Sequence, residues 1–453
     1  MTRRSQSRVD PLEHPIEQAL APGNFIPDAG CYEFVSELEQ VKGHIDELIG
    51  SDAARCVSLY ESFLAGCYQK AEELDDSSGS FGQFVDELFS AWIKARQAAR
   101  SDPDDTAARL LKWMEDDAYG FCSQLEVRAV EAFDKPGLAA FARLIRSRFD
   151  AAAAAPPGQN AAARQDPGTV RRRWGAALRT IYLAQRDAAA YVALAEETGL
   201  TASDCHALGT LLSSAGKHTE ALAWVERGVA LAERDERASI AGYDLARLRR
   251  DLLVRLGRGD EALQAAWSEY QKAPSKYAYA GLMKFVPEAE RIAWHERALD
   301  AALGANLQSR IELFLETGEI ARLVEALHAS RDEALEAVSH FTSEPAARRL
   351  EEAHPELAAR LWRAQGMRIV RAKKSRYYDA ALSNFERAMC CFEKAGAQAE
   401  WQKTVARVRS EHQRKTGFIK GFEALVAGQR PSEQPSYLER AKARFLAGRT
   451  EDA

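Results

Sequence analysis

The sequence predicts an all-α protein: an N-terminal antiparallel helical domain followed by an α-solenoid of helical hairpins. Three observations predict it. Alanine supplies 82 of the 453 residues, against 15 Pro and 28 Gly. Apolar residues recur at steps of three and four along most of the chain, the period of one helix face. After residue 200 the apolar runs come in pairs joined by tight turns. With 46% hydrophobic and 28% charged residues, the composition excludes a disordered chain, a collagen and a disulfide scaffold.

Residues 1–29 form a Pro-rich arm, with Pro11, Pro15, Pro22 and Pro27 around one short helix. From Gly30 the helical period takes over: Cys31, Phe34, Val35, Leu38, Val41, Ile45 and Leu48 share a face. Ser51-Asp52 caps the next helix, Ala53 to Leu74. The polar stretch 75–80 is a connection, and Phe81, Phe84, Val85, Leu88, Phe89, Trp92 and Ile93 then make a strong apolar stripe. Asp102-Pro103 breaks and re-caps the chain before Ala107 to Met114. Two further helices fit 118–133 and 136–150. The helical domain therefore covers 30–150, with about six helices. Residues 151–168, with Pro156-Pro157-Gly158, read as a linker. The repeat part spans 169–430, and 431–453 reads as a C-terminal helical tail.

The repeat units carry a common pattern. The first, 202–235, has Leu208-Gly209, a turn at Gly216, Ala221 and Gly228. The second, 243–275, has a turn at Gly257, then Ala262 and Pro274. The third, 362–396, has Ala381, Phe385 and Ala388. Small residues let the second helix approach the first, and a large one fills the gap beside it. The pattern resembles a degenerate tetratricopeptide-like α-solenoid. Departures are visible: Arg249-Arg250 stands where Leu-Gly belongs, Glu269 occupies a small position, and the third unit lacks Leu-Gly.

Four stretches carry a wider likeness. They are the runs from Gly216 to Gly228, from Gly257 to Leu263, from Tyr377 to Leu382 and from Ala406 to Phe418. Together with the Ala-rich front half, they resemble the long C-terminal helical-repeat region of bacterial SWIM zinc-finger proteins and related proteins. In that family a closing helix reads roughly Leu-Arg-x-x-His-x-Arg-Lys-x-x-Phe, which His412, Arg414, Lys415 and Phe418 fit. The finger itself, Cys-x-Cys then Cys-x-His, is missing, and the chain starts about where the finger would end in a longer relative. The resemblance implies a helical-repeat fold. It also suggests that a separate polypeptide supplies the finger.

Charge is uneven. Residues 1–168 hold 17 basic and 28 acidic residues, a net of −11; residues 169–453 hold 44 and 39, a net of +5. Within 355–430 the balance is 16 to 7, a net of +9. Chemistry-bearing motifs are weak. Gly209 to Gly216-Lys217-His218-Thr219 misses a phosphate loop, because its glycines are seven apart and His stands where Ser or Thr is needed. There is no His-Glu-x-x-His and no Gly-x-Ser-x-Gly. The odd number of cysteines, seven, without Cys-x-x-Cys, reads as reduced, buried thiols. We expect no enzyme activity, no metal and no cofactor. The absence of a signal-like segment or of 18 consecutive apolar residues predicts a cytoplasmic protein with no membrane contact.

The remaining function is binding. In tetratricopeptide-like pairs the first helix of each unit lines a groove. That register selects His206, Thr210, Ser213 and Ser214, then Arg247, Asp251 and Arg255, then Lys373 and Lys374. A polar, mostly basic groove suits an acidic peptide of a protein partner. Arg407, Arg414 and Lys415 extend the basic character. The alternative is nucleic-acid contact through the 363–420 surface, with Tyr377 and Tyr378 available for stacking.

Overall fold

The computed structural model describes residues 11–23, 25–122, 124–154, 167–234, 239–373 and 375–429. Among these it is all-α: the only β pairing is an isolated bridge between Ile26 and Leu74. Two compact units divide after Leu256, and each is treated by itself. The expected C-terminal tail, 431–453, the first ten residues of the arm and most of the 151–168 linker lie outside the described residues.

The first unit holds α1 (Glu13–Ala19), α2 (Asp28–Asp46), α3 (Ala53–Lys70), α4 (Ser80–Ala98), α5 (Pro103–Asp116), α6 (Leu125–Ala132) and α7 (Lys135–Ala154). It continues with α8 (Pro167–Gln185), α9 (Ala188–Thr198), α10 (Ala202–Ser214), α11 (His218–Ala232) and α12 (Ser239–Arg255). Starts are set by side chains. Asp52 accepts from the Arg55 N–H at α3, and Asp102 accepts from the Asp104 N–H at α5, with Pro103 in the first turn. Both oxygens serve amide groups that have no intrahelical acceptor. The stripe from Phe81 to Ile93 is entirely buried, and α4 packs on α2, α3 and α6 through it.

The break at 151–168 does not separate two cores. Beyond it α8 packs on α6 and α7, and Trp174, Ala177, Leu178 and Ile181 join the core formed by α1–α7. Apolar burial of this kind drives packing regardless of the spacer between two helices.

The first repeat hairpin is well formed. Thr201 and Asp204 make a reciprocal capping box at α10. The turn to α11 has Gly216 at φ 76°, a left-handed conformation that favours glycine. A Cβ on Gly228 of α11 would lie 2.6 Å from the Cys205 Cβ of α10, and one on Gly209 of α10 would lie 2.5 Å from Val225 of α11. The two helices therefore approach closely through reciprocal small residues. α12 packs on both α11 and α10, as in successive tetratricopeptide-like hairpins.

The second unit holds α13 (Gly259–Lys272), α14 (Lys276–Met283), α15 (Arg291–Ala301), α16 (Leu307–Thr317), α17 (Ile320–His328), α18 (Asp332–Ala337) and α19 (His340–Leu350). Then follow α20 (Pro355–Arg371), α21 (Tyr378–Lys394), α22 (Gln398–His412) and α23 (Thr416–Val426). One apolar core runs from Leu263 to Leu425. α20 and α21 form a closely packed hairpin within it. Gly366 takes the role Gly209 has in the first unit: a Cβ there would sit 2.7 Å from the Phe385 ring. Ala381 and Ala388 flank Phe385, and all three are buried.

Two expectations change. The two helices of the second repeat, 243–275, fall in different units, which divide at its turn, Gly257. The sequence departures, Arg249-Arg250 and Glu269, fall on its two helices. The closing motif spans two helices rather than one. His412 ends α22, and Phe418 sits in α23 after a short turn.

Candidate functional site

In the first unit, α10 and α12 are neighbours, and both present polar or exposed residues at helical spacing. On α10, Thr210 and Ser214 are exposed while His206 and Ser213 are half-buried. Leu208 and Leu212 between them are buried. On α12, Arg247, Asp251 and Arg255 are exposed. The same helix exposes three large apolar side chains: Ile240 at 80%, Tyr243 at 66% and Val254 at 51%. Ile240, Tyr243, Arg247 and Val254 step by three, four and seven, so they share one face. Leu245, Leu252 and Leu253 are fully buried. Neither Arg247 nor Arg255 forms an ion pair among the described residues, whereas Arg249 pairs with Glu226 of α11 at 3.6 Å. The exposed apolar residues of this face were not singled out from the sequence. The register that selected Arg247 passes through Ile240 and Tyr243 as well, so the signal was there.

The second unit treats its arginines differently. Arg363 of α20 pairs with Asp332 of α18. Arg371 bonds Glu336 and, at 2.7 Å, Glu411. Arg407 of α22 contacts Glu411 at 2.9 Å and Glu336 at 3.2 Å. Arg360 donates to the Leu327 and Ser330 carbonyls at 3.0 and 2.6 Å, neutralising the C-terminal end of α17. Arg409 pairs with Glu423 at 2.7 Å. Glu336 is only 7% exposed. Burial pushes its carboxyl up, and the guanidinium groups of Arg407 and Arg371 oppose that push. So Arg407, a candidate for partner contact, is engaged inside the unit.

Lys415 donates to the Val370 carbonyl. Burial, with Lys373 and Arg371 nearby, holds its ammonium below the usual range. Lys373 is exposed, with φ 57°; Lys374 lies outside the described residues. Arg414 is exposed and, like Lys373, makes no ion pair among the described residues. Tyr378 packs against Phe418, with ring centroids 5.6 Å apart, and Arg376 lies over Tyr377 at 4.8 Å. His412 is 5% exposed, and neither of its ring nitrogens has a hydrogen-bond partner. Burial and the Lys415 charge hold its imidazole below the usual range.

The described residues contain no group of three or more His, Cys, Asp or Glu placed to hold a metal ion. Six cysteines are buried, but Cys390 is exposed beside buried Cys391. The expectation of uniformly buried thiols is corrected there, because consecutive helical residues point to different faces. No helix among the described residues is long and apolar enough to cross a membrane.

One polar group inside the N-terminal part went unmarked in the sequence. A cavity of about 410 Å³ is lined by Asp76, Asp86, Tyr119 and Phe121, with Gly79, Gly82 and Gly120. Asp76 accepts from the Phe81 and Gly82 N–H groups at 2.9 and 2.8 Å. Asp86 Oδ1 is buried with no hydrogen-bond partner, and burial pushes the Asp86 carboxyl up to about 6.

Among solved structures, the chain is similar to a crystal structure of an APC/C hetero-tetramer, Cut9-Hcn1. Identity there is 12%, over 90% of this chain and 82% of that one, with a TM-score of 0.20. It is also similar to a circular tandem repeat protein with a novel repeat topology. Identity is again 12%, over 92% of this chain and 97% of that one, with a TM-score of 0.19. No curated protein matches the chain. A family model does match, over residues 24–421, and the chain belongs to that family, a family of unknown function designated DUF6880.

Proposed function

We propose that the protein is a non-enzymatic, cytoplasmic interaction scaffold whose first unit holds a partner segment along α10 and α12. The observation that carries this reading is the α12 face. Ile240, Tyr243 and Val254 stand exposed beside Arg247 and Arg255, which form no ion pair among the described residues. Water-exposed apolar groups in a row are unfavourable alone and are the usual mark of a binding surface. Arginine and tyrosine are also the side chains that dominate interface energies. The partner segment is acidic, with apolar side chains to cover Ile240 and Tyr243. His206 and Thr210 border it on α10. Lys373, Lys374, Arg414 and Lys415 belong to a second, weaker contact set in the other unit. The likeness to the repeat region of SWIM zinc-finger proteins extends this reading to a partner polypeptide that carries a finger.

The test is a pull-down of the tagged protein from its native cells, with and without nuclease, beside the double variant Arg247→Glu, Arg255→Glu. Partners that survive nuclease and disappear with the folded double variant support the scaffold. An unchanged partner set in that variant removes the groove. Loss of all partners with nuclease promotes direct nucleic-acid binding through 363–420. That reading is weakened by the carboxylates already holding Arg363, Arg371, Arg407 and Arg409.

A further inference from the structure

We infer that a cavity in the first unit is a binding site for a small phosphate monoester, independently of the α12 face. The cavity measures about 580 Å³ and is formed by α8, the end of α9 and the start of α10. This lies within the range of small-molecule sites. From α8 it is lined by Gly168, Arg171, Arg172, Gly175, Ala176 and Arg179. Those positions step by three and four, so one helix face carries three guanidinium groups interleaved with the smallest side chains.

The hydrogen-bond accounting of this cavity is lopsided. Both of its carboxylates are used up. Asp204 accepts from Arg179 Nε at 2.7 Å, from the Tyr191 hydroxyl at 2.9 Å, and from the Thr201 N–H and hydroxyl at 3.0 and 2.7 Å. Burial raises its pKa, but the bonds from Arg179 and Thr201 outweigh this and hold the carboxyl below the usual range. Glu197 is shared by two guanidinium groups, accepting from Arg171 and from Arg146, each at 2.7 Å. The unused groups are donors. Arg171 Nε has no partner, but it is buried, with the guanidinium over the Phe149 ring at 4.7 Å, and is not open to a ligand. Arg172 is exposed and, among the described residues, its side chain donates only to the Thr169 hydroxyl, at 2.8 Å. The Ser203 hydroxyl has no partner among the described residues. The Ala202 and Ser203 amides, in the first turn of α10, have no intrahelical acceptor either.

A ligand that completes this site must bring acceptors and negative charge. Three lining arginines against two carboxylates leave a positive balance. A phosphate monoester supplies three acceptor oxygens and close to two negative charges. Arginine is the side chain suited to it. The remaining volume, walled by Gly168, Gly175, Ala176 and Tyr191, takes the organic part of the ester.

Titration calorimetry of the full chain in low-salt chloride buffer, with phenyl phosphate and with inorganic phosphate as probes, tests this. Phenyl phosphate binds saturably and more tightly than inorganic phosphate. Arg172→Gln weakens it about tenfold or more, the scale of one charged hydrogen bond. Ser203→Ala weakens it less. Arg247→Glu leaves it unchanged, so failure of the peptide face and failure of this site are separable. Arg172 is exposed and its side chain bonds only Thr169 among the described residues, so its variant keeps the fold, which an unchanged melting temperature verifies. Absence of saturable heat with either probe overturns the proposal. So does equal binding by wild type and Arg172→Gln. Equal affinity for the two probes assigns the site to the free ion and overturns the ester.

Discussion

The face of α12 and the arginines of α20 and α22 look alike on paper: cationic residues at helical spacing within repeat hairpins. In the first unit Arg247 and Arg255 stand in solvent beside exposed Ile240 and Tyr243. In the second unit Arg363, Arg371 and Arg407 close on Asp332, Glu336 and Glu411. The difference teaches that a net charge of one sign in a stretch of sequence is not a surface potential. The α18 acids come from outside the basic stretch and cancel much of it. On α12 the exposed Asp251 stands four residues from each arginine without pairing with either among the described residues, and the two guanidinium groups stay open to a partner.

The strongest way to break this comparison is to remove the acid. Glu336→Ala takes a buried carboxylate from Arg371 and Arg407, which keep Glu411, and should destabilise the second unit by about 1.5–3 kcal/mol. Chemical denaturation measures it. A loss below about 1 kcal/mol would mean the network is as solvated as the α12 face. The same variant should raise the unit's attraction for anions, because it leaves Arg371 and Arg407 one carboxylate fewer.

A smaller effect belongs to packing. Gly366→Ala forces a Cβ to within 2.7 Å of the Phe385 ring, and overpacking of this kind costs about 1–3 kcal/mol. The thermal midpoint reports it, and an unchanged midpoint would show that Phe385 can move aside.

The smallest effect sharpens the contrast between buried and exposed charge. The folded Asp86 carboxyl titrates near 6, above its unfolded value of 3.8. Between these values the folded state binds more protons, so stability falls as pH rises from 4 to 6 and the full penalty persists above 6. Asp86→Asn removes that penalty. It should stabilise the first unit by about 1 kcal/mol at pH 7, allowing for solvent screening, and have no such effect at pH 4. A pH-independent gain would show that the carboxyl is not the source.

Much of the fold was legible because local rules and global packing agree. Asp52 and Asp102 cap the helices they precede, and each apolar residue from Phe81 to Ile93 in the stripe is buried. Positions on α12 were legible for the same reason, since helical period alone separates Arg247 from Leu245. The engagement of Arg371 was not legible, because Glu336 lies 35 residues away and no local pattern encodes that meeting. The arginines of α8 escaped notice for a related reason. Their significance depends on Glu197 and Asp204 being fully occupied, a property of three dimensions.

The glycine turns have a consequence for how the chain is made. α10 and α11, joined at Gly216, are complete as a closely packed pair within about thirty residues. Contacts between sequence neighbours close quickly, since little chain entropy is lost in bringing them together. A hairpin can therefore form as it leaves the ribosome, before the one after it exists. The first unit would then offer its α12 face to a partner while the second is still being synthesised.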